Sequence, residues 1–117
     1  MTRRKTGPDR ATADMVLRRD RHRCRRCGGA GQQIHHRRPR GMGGTRDPLI
    51  NSPSNLVLLC QACHAWIEGH RTDAARDGWL LSRLTSSSPA SVPIVTGGLP
   101  VWLGDDGDTS PTSSKEN

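Results

Sequence analysis

A small α+β domain, clasped by a metal ion instead of resting on a large core, is what this sequence predicts, on three observations. The chain has 117 residues with no Phe, no Tyr and three Trp, and only 32% of it is hydrophobic. A chain so poor in large apolar side chains buries little surface and needs a staple. Four cysteines form two Cys-x-x-Cys pairs, Cys24/Cys27 and Cys60/Cys63, with 32 residues between them. Two short stretches with strand character, QIHH and NLVLLC, lie between the pairs, and helical patterns flank them.

Each element follows in order. Residues 1–10, MTRRKTGPDR, are polar, carry Gly-Pro and read as a flexible basic arm. ATADMVLRRDRHR has a short helical pattern, with Thr12 or Asp14 as N-cap and Met15, Val16 and Leu17 facing inward. CRRCGGAGQ is a knuckle followed by glycines that permit a tight turn. QIHH reads as a strand end, RRPRGMGGTRDPLINSPSN as a long Gly/Pro-rich loop, and NLVLLC is short enough for a strand or a helix start. QACHAWIEGHR reads as a helix beginning near Cys63. TDAARDGWLLSRL adds a helical turn, capped at Thr72 or Asp73 and stopped at Gly78. Trp66 and Trp79 are assigned to the core, because little else is available to pack.

The domain is placed at 11–84. TSSSPASVP is a linker by composition, and VPIVTGGLPVWLGDDG predicts two short strands around Gly97-Gly98, with Trp102 as their anchor. Residues 85–104 thus form a linker and an appended β element resting on the domain. The acidic tail, 105–117, is expected to be disordered.

The charge is uneven. Residues 1–46 hold 14 Lys/Arg against 3 Asp, whereas residues 47–117 hold 4 against 8 Asp/Glu, within a total of +7. An arginine-rich half with an acidic tail fits a nucleic-acid partner. No apolar run approaches the ~18 residues of a membrane helix, so no membrane association is expected. The N-terminal stretch lacks the apolar segment of a secretory signal. A cytoplasmic setting is therefore expected, where disulfides are disfavoured and paired cysteines turn toward metal. Each Cys-x-x-Cys presents two thiolates on one turn, and two such turns complete a four-sulfur structural zinc site. The redox alternative, a thioredoxin-like Cys-x-x-Cys, lacks the accompanying strand-helix-strand context.

Two adjacent histidines, in IHHRRPRGMGG, lie between the knuckles, and the second knuckle runs directly into a third in NLVLLCQACHAWIEGH. With CxxC before them, HH followed by a basic Gly/Pro loop, and NL ahead of LCxxCH, the segment from about residue 12 to 84 resembles the HNH endonuclease family, the ββα-metal or His-Me finger nucleases. The wording IHHRRPRGMGG is most similar to small HNH proteins of actinobacteria and their phages, some of which lie beside DNA-packaging terminase genes.

The resemblance implies a role for each matched residue. His35 becomes a ligand of one catalytic divalent ion (Mg²⁺, Mn²⁺, Ni²⁺ or Zn²⁺), His64 the second ligand, and His36 the general base. Asn55 becomes the central Asn that ties the loop together and helps orient that base. A neutral imidazole, with an ordinary pKa of ~6.5, takes the proton of an attacking water at neutral pH. The products implied are 5′-phosphate and 3′-hydroxyl ends. Arg37, Arg38 and Arg40 are placed to hold flanking phosphates of DNA, while Gly41, Gly43 and Gly44 let the backbone approach the duplex. Glu68, one turn after His64, is a candidate further ligand, with His70 as its competitor. His22 is expected at the surface. Terminase subunits as partners, a bacterial or phage-infected host and a monomer or weak dimer complete what the resemblance implies.

Two rivals remain at this level. A zinc-stapled DNA-binding module without catalysis suits the four cysteines and the arginines equally well, but it has no use for His35, His36, Asn55 and His64 in that order. An extended structural cluster of Cys60, Cys63, His64 and His35 is the other.

Overall fold

The computed structural model describes residues 7–39, 49–82 and 87–112. Helix α1, Arg10–Arg19, starts earlier than a cap at Thr12 or Asp14 would place it, because Asp9 is its N-cap. The Asp9 carboxylate accepts from the Thr12 amide at 2.8 Å, satisfying one of the helix's unpaired donors. After α1 the chain turns through Arg21 and His22, both with left-handed φ (57° and 59°), into the first knuckle.

Strands β1, Gln33–His36, and β2, Leu56–Leu59, form an antiparallel ribbon in which Gln33 faces Leu59 and His36 faces Leu56. All four β2 side chains are buried, which settles NLVLLC as a buried strand and not a helix start. A 3₁₀ turn, Pro53–Asn55, leads into β2. The outer edge of β2 is covered by the knuckle: the Arg25 amide donates to the Leu58 carbonyl at 2.8 Å, and the Leu58 amide donates to the Asp20 carboxylate at 3.0 Å.

Helix α2, Gln61–Gly69, begins on Cys60 as N-cap and buries Cys63 and Ile67 one turn apart. Helix α3, Arg71–Arg76, is capped by His70, so Thr72 and Asp73 lie inside it and do not cap it. Gly78 stops it as expected. Its φ is +84°, and a Cβ there would collide with the Pro93 carbonyl.

The C-terminal part departs most from expectation. Strands β3, Ile94–Thr96, and β4, Leu99–Leu103, make the hairpin around Gly97-Gly98, whose positive φ values (59° and 80°) suit a two-residue turn. A further short strand, β5, Thr109–Ser110, pairs with Trp102 and Leu103, inside the stretch where a disordered tail was expected. The hairpin packs on the domain. Ile94 and Leu103 are fully buried, in one core cluster with Val57, Leu59, Ile67 and Trp79. Among the described residues, no helix is long and apolar enough to cross a membrane.

Candidate active site and metal clasp

The cysteine turns are built by local hydrogen bonds. In the first knuckle the Cys24 amide donates to the Gly29 carbonyl at 2.6 Å, and the Gly29 amide donates to Cys27 Sγ at 3.4 Å. In the second, Cys60 Sγ accepts from the Cys63 amide at 3.3 Å, so the thiol doubles as the cap of α2. The four Sγ atoms all lie within 4.8 Å of one another, with Cys27 Sγ 3.8 Å from Cys60 Sγ. A tetrahedral ion with bonds of about 2.3 Å sets its sulfurs about 3.8 Å apart, whereas a disulfide needs about 2.05 Å. All four cysteines are unbridged.

The electrostatics point the same way. At Cys24 burial works upward, but backbone donors at Cys60, Cys27 and Arg26 prevail and bring the thiol down to about 7. At Cys63 burial, joined by the neighbouring sulfurs, pushes it up to about 12 against the Arg26 guanidinium. Four thiols this close cannot all ionise without a cation among them, and a divalent ion fits that need.

The same helix start places the second group. His64 lies on the first turn of α2, directly after Cys63, and its ring sits edge-on to that of His35 with centroids 5.3 Å apart. Two imidazoles bound to one ion at about 2.0–2.1 Å and a tetrahedral angle have centroids about 5 Å apart, so the pair fits a shared ion. His35 is buried, and its Nε2 lies 2.8 Å from the Trp79 carbonyl. A carbonyl only accepts, so Nε2 carries the proton and Nδ1 keeps the lone pair a metal requires. Burial lowers the His35 pKa to about 4, outweighing the Trp79 carbonyl, which acts upward, so the ring is neutral at physiological pH. His36, the next residue on β1, diverges: its Nε2 donates to Asn51 Oδ1 at 2.8 Å. His35, His36, His64, Glu68 and Arg71 all line one cleft of about 360 Å³.

The other expected site residues stand as follows. Asn55 is fully buried and ties the loop: its Nδ2 donates to the Arg38 and Ile50 carbonyls, and its Oδ1 accepts from the Arg38 amide at 2.8 Å. His36 is contacted by the side chain of Asn51, a residue that does not directly precede the apolar run. Its adjacency to the imidazole depends on how the loop folds back, and no spacing announces that.

Arg37 requires a correction. It is 0% exposed, and its guanidinium donates to the carbonyls of Gly78, Ser54, Pro89 and Val92, so no phosphate can reach it. Burial, and then the like charges of Arg19 and Arg38, lower its pKa to about 9, which leaves it charged at neutral pH. Arg38 is buried too and holds the Ser82 and Ser87 carbonyls. Both arginines close the domain onto its C-terminal part. Arg40, Gly41, Gly43 and Gly44 lie outside the described residues.

Glu68 pairs with Arg71 at 2.8 Å. Among the described residues, the groups of three or more His, Cys, Asp or Glu with mutually close ligand atoms reduce to the four cysteines, so Glu68 does not form one with His35 and His64. His70 caps α3 and stacks on Trp66, and His22 is exposed. Trp79 is core as expected, 1% exposed, while Trp66 is half-buried under the Arg26 guanidinium at 3.7 Å.

No curated protein and no solved structure matches the chain. One family model does: residues 24–67, from the first knuckle cysteine to the buried Ile67 of α2, match the HNH endonuclease family over the stretch that holds all four cysteines, Asn55 and the three imidazoles of the cleft.

Proposed function

We propose that the cleft is the active centre of a metal-dependent DNA endonuclease. The observation that carries this reading is the convergence of His35 and His36 from β1 with His64 from α2 on one cleft, one ring being neutral and fixed in tautomer. His35, through Nδ1, and His64 would hold one divalent ion, which would supply Lewis-acid activation of the phosphate and charge stabilisation for the leaving group. His36, with its Nε2 proton held by Asn51, takes a proton from water at Nδ1. The resulting hydroxide attacks phosphorus in line, the P–O3′ bond breaks, the departing 3′-oxygen takes a proton from solvent water, and 5′-phosphate and 3′-hydroxyl ends remain. The family match supports a nuclease, and the four-cysteine clasp supports a structural zinc that fixes the start of α2 and with it His64. DNA is the partner in this reading. A terminase setting and a monomeric or weakly dimeric state rest on the sequence resemblance, and a cytoplasmic location on the N-terminal composition.

The test is nicking of supercoiled plasmid with added divalent ion by the zinc-loaded chain and by His36→Ala. The wild type nicks, and His36→Ala loses at least about 100-fold while still shifting DNA mobility. If both proteins shift DNA and neither nicks it, the chain is a zinc-stapled binding module instead.

A further inference from the structure

Resting on that reading of the cleft, we propose that Arg71 grips the phosphate of the bound DNA and that Glu68 is its resting counter-ion rather than a metal ligand. A phosphodiester entering between three imidazoles needs a cation at the entrance besides the ion. Two of the arginines the sequence offers for this, Arg37 and Arg38, are spent inside the domain on main-chain carbonyls. Among the described residues lining the cleft, Arg71 is the arginine that remains.

Its placement suits the task. Arg71 opens α3 directly after His70, where the chain bends out of α2. Its side chain is 57% exposed and its partner Glu68 53% exposed, so their 2.8 Å ion pair is solvated and easily exchanged. A phosphate offers the planar guanidinium two charge-assisted bonds in place of one. Glu68 stands one turn after His64 and lines the same cleft as His35 and His64. Its oxygens nonetheless do not join the His35 and His64 nitrogens in one tight group, as the four sulfurs do among themselves. A carboxylate at that point repels an incoming phosphate until Arg71 turns from one anion to the other, so Glu68 screens the entrance and Arg71 admits the strand.

The experiment uses the zinc-loaded full chain in a His36→Ala background, so that binding is read without cleavage. A fluorescein-labelled short duplex is titrated across a salt series, and Mn²⁺ is titrated calorimetrically into the same proteins without DNA. Arg71→Ala is expected to weaken duplex binding roughly ten-fold and to lower the slope of log K against log salt by about one. Arg71→Lys restores the slope but only part of the affinity. Glu68→Gln is expected to tighten duplex binding several-fold and to change Mn²⁺ affinity less than about two-fold. Near-ultraviolet circular dichroism of the tryptophans confirms that the variants are folded.

The inference is overturned if Arg71→Ala keeps both affinity and slope, or if Glu68→Gln costs ten-fold in Mn²⁺ affinity with duplex binding unchanged. The two readings separate cleanly. A chain with its native His36 that neither binds nor nicks DNA removes both, whereas one that nicks while its Arg71→Ala variant nicks and binds equally well removes Arg71 alone.

Discussion

His36 Nε2 donates to Asn51 Oδ1 across 2.8 Å, linking the last residue of β1 to the loop ahead of β2. An imidazole held at one nitrogen by an acceptor presents its lone pair at the other, so Asn51 fixes both the tautomer and the direction of the proposed base. Asn51→Ala should therefore lower kcat about 10- to 100-fold with little change in KM, and Asn51→Asp, which keeps an acceptor, should retain more activity than Ala. Asn55→Ala should behave differently, because Asn55 bonds main-chain groups of Arg38 and Ile50 and not the histidine. Its loss falls on stability, read as a lowered urea midpoint. Equal kcat losses at the two positions with equal midpoints would refute the division.

The four-sulfur clasp carries a second prediction. With Cys24 and Cys63 both in the core cluster and Cys60 capping α2, removing the ion loosens the start of the helix that carries His64. A structural zinc contributes about 10–16 kcal/mol of binding free energy, more than a typical domain's net stability of about 5–15 kcal/mol. The pure chain should contain one tightly held zinc. A strong chelator should abolish helical and tryptophan circular dichroism together, and re-addition of zinc should restore both. A chelated chain that keeps its native spectrum would show that the sulfurs do not hold the fold.

The sequence showed the parts of this molecule whose constraints are local. Cys-x-x-Cys spacing is enough to foresee a clasp, Gly97-Gly98 a hairpin and Gly78 a helix stop, because each depends on a few adjacent residues. Adjacent His35 and His36 were legible as a pair for the same reason. What stayed hidden is long-range. A basic run looks like a phosphate grip until the carbonyls of Gly78, Ser54, Pro89 and Val92, 17 to 55 positions away, are seen to consume Arg37. Asp20, one acid in an arginine-rich run, gave no signal that it would bind Arg19, Arg25 and the Leu58 amide together. The placement of Arg71 at the cleft depends on how the chain turns from α2 into α3, which residue spacing does not reveal.

Arg37 supplies the sharpest contrast between a binding and a structural arginine. Replacing it leaves four main-chain acceptors without their donor, at roughly 1–3 kcal/mol for each that water cannot reach. Arg37→Met should thus lose about 3–5 kcal/mol in urea unfolding of the zinc-loaded chain. Arg37→Lys should recover little, since one ammonium cannot span carbonyls from three segments. At a temperature where the variants remain folded, duplex affinity and its salt slope should match the wild type. A variant with unchanged stability and weakened DNA binding would return Arg37 to the phosphate-contacting set.

Asp20 yields a pH dependence whose sign is set by its surroundings. Burial acts to raise its pKa, but the hydrogen bond and charge of Arg19, the charge of Arg25 and the Leu58 amide outweigh it and hold the carboxyl below its usual 3.8. A carboxylate with a depressed folded pKa binds fewer protons than the unfolded chain does, so its stabilisation is complete above the unfolded value and fades as pH falls from 3.8 through the folded one. Asp20→Asn leaves Arg19, whose side chain is 3% exposed, without its carboxylate, and should cost about 3–5 kcal/mol at pH 7. The gap between wild type and variant should stay flat from about pH 8 to pH 5, well above the range in which Asp20 takes up a proton. Urea midpoints of both zinc-loaded proteins across that range test it, and a gap already halved at pH 5 would mean that the Arg19–Asp20–Arg25 triad is not the anion-dependent tie between α1 and β2.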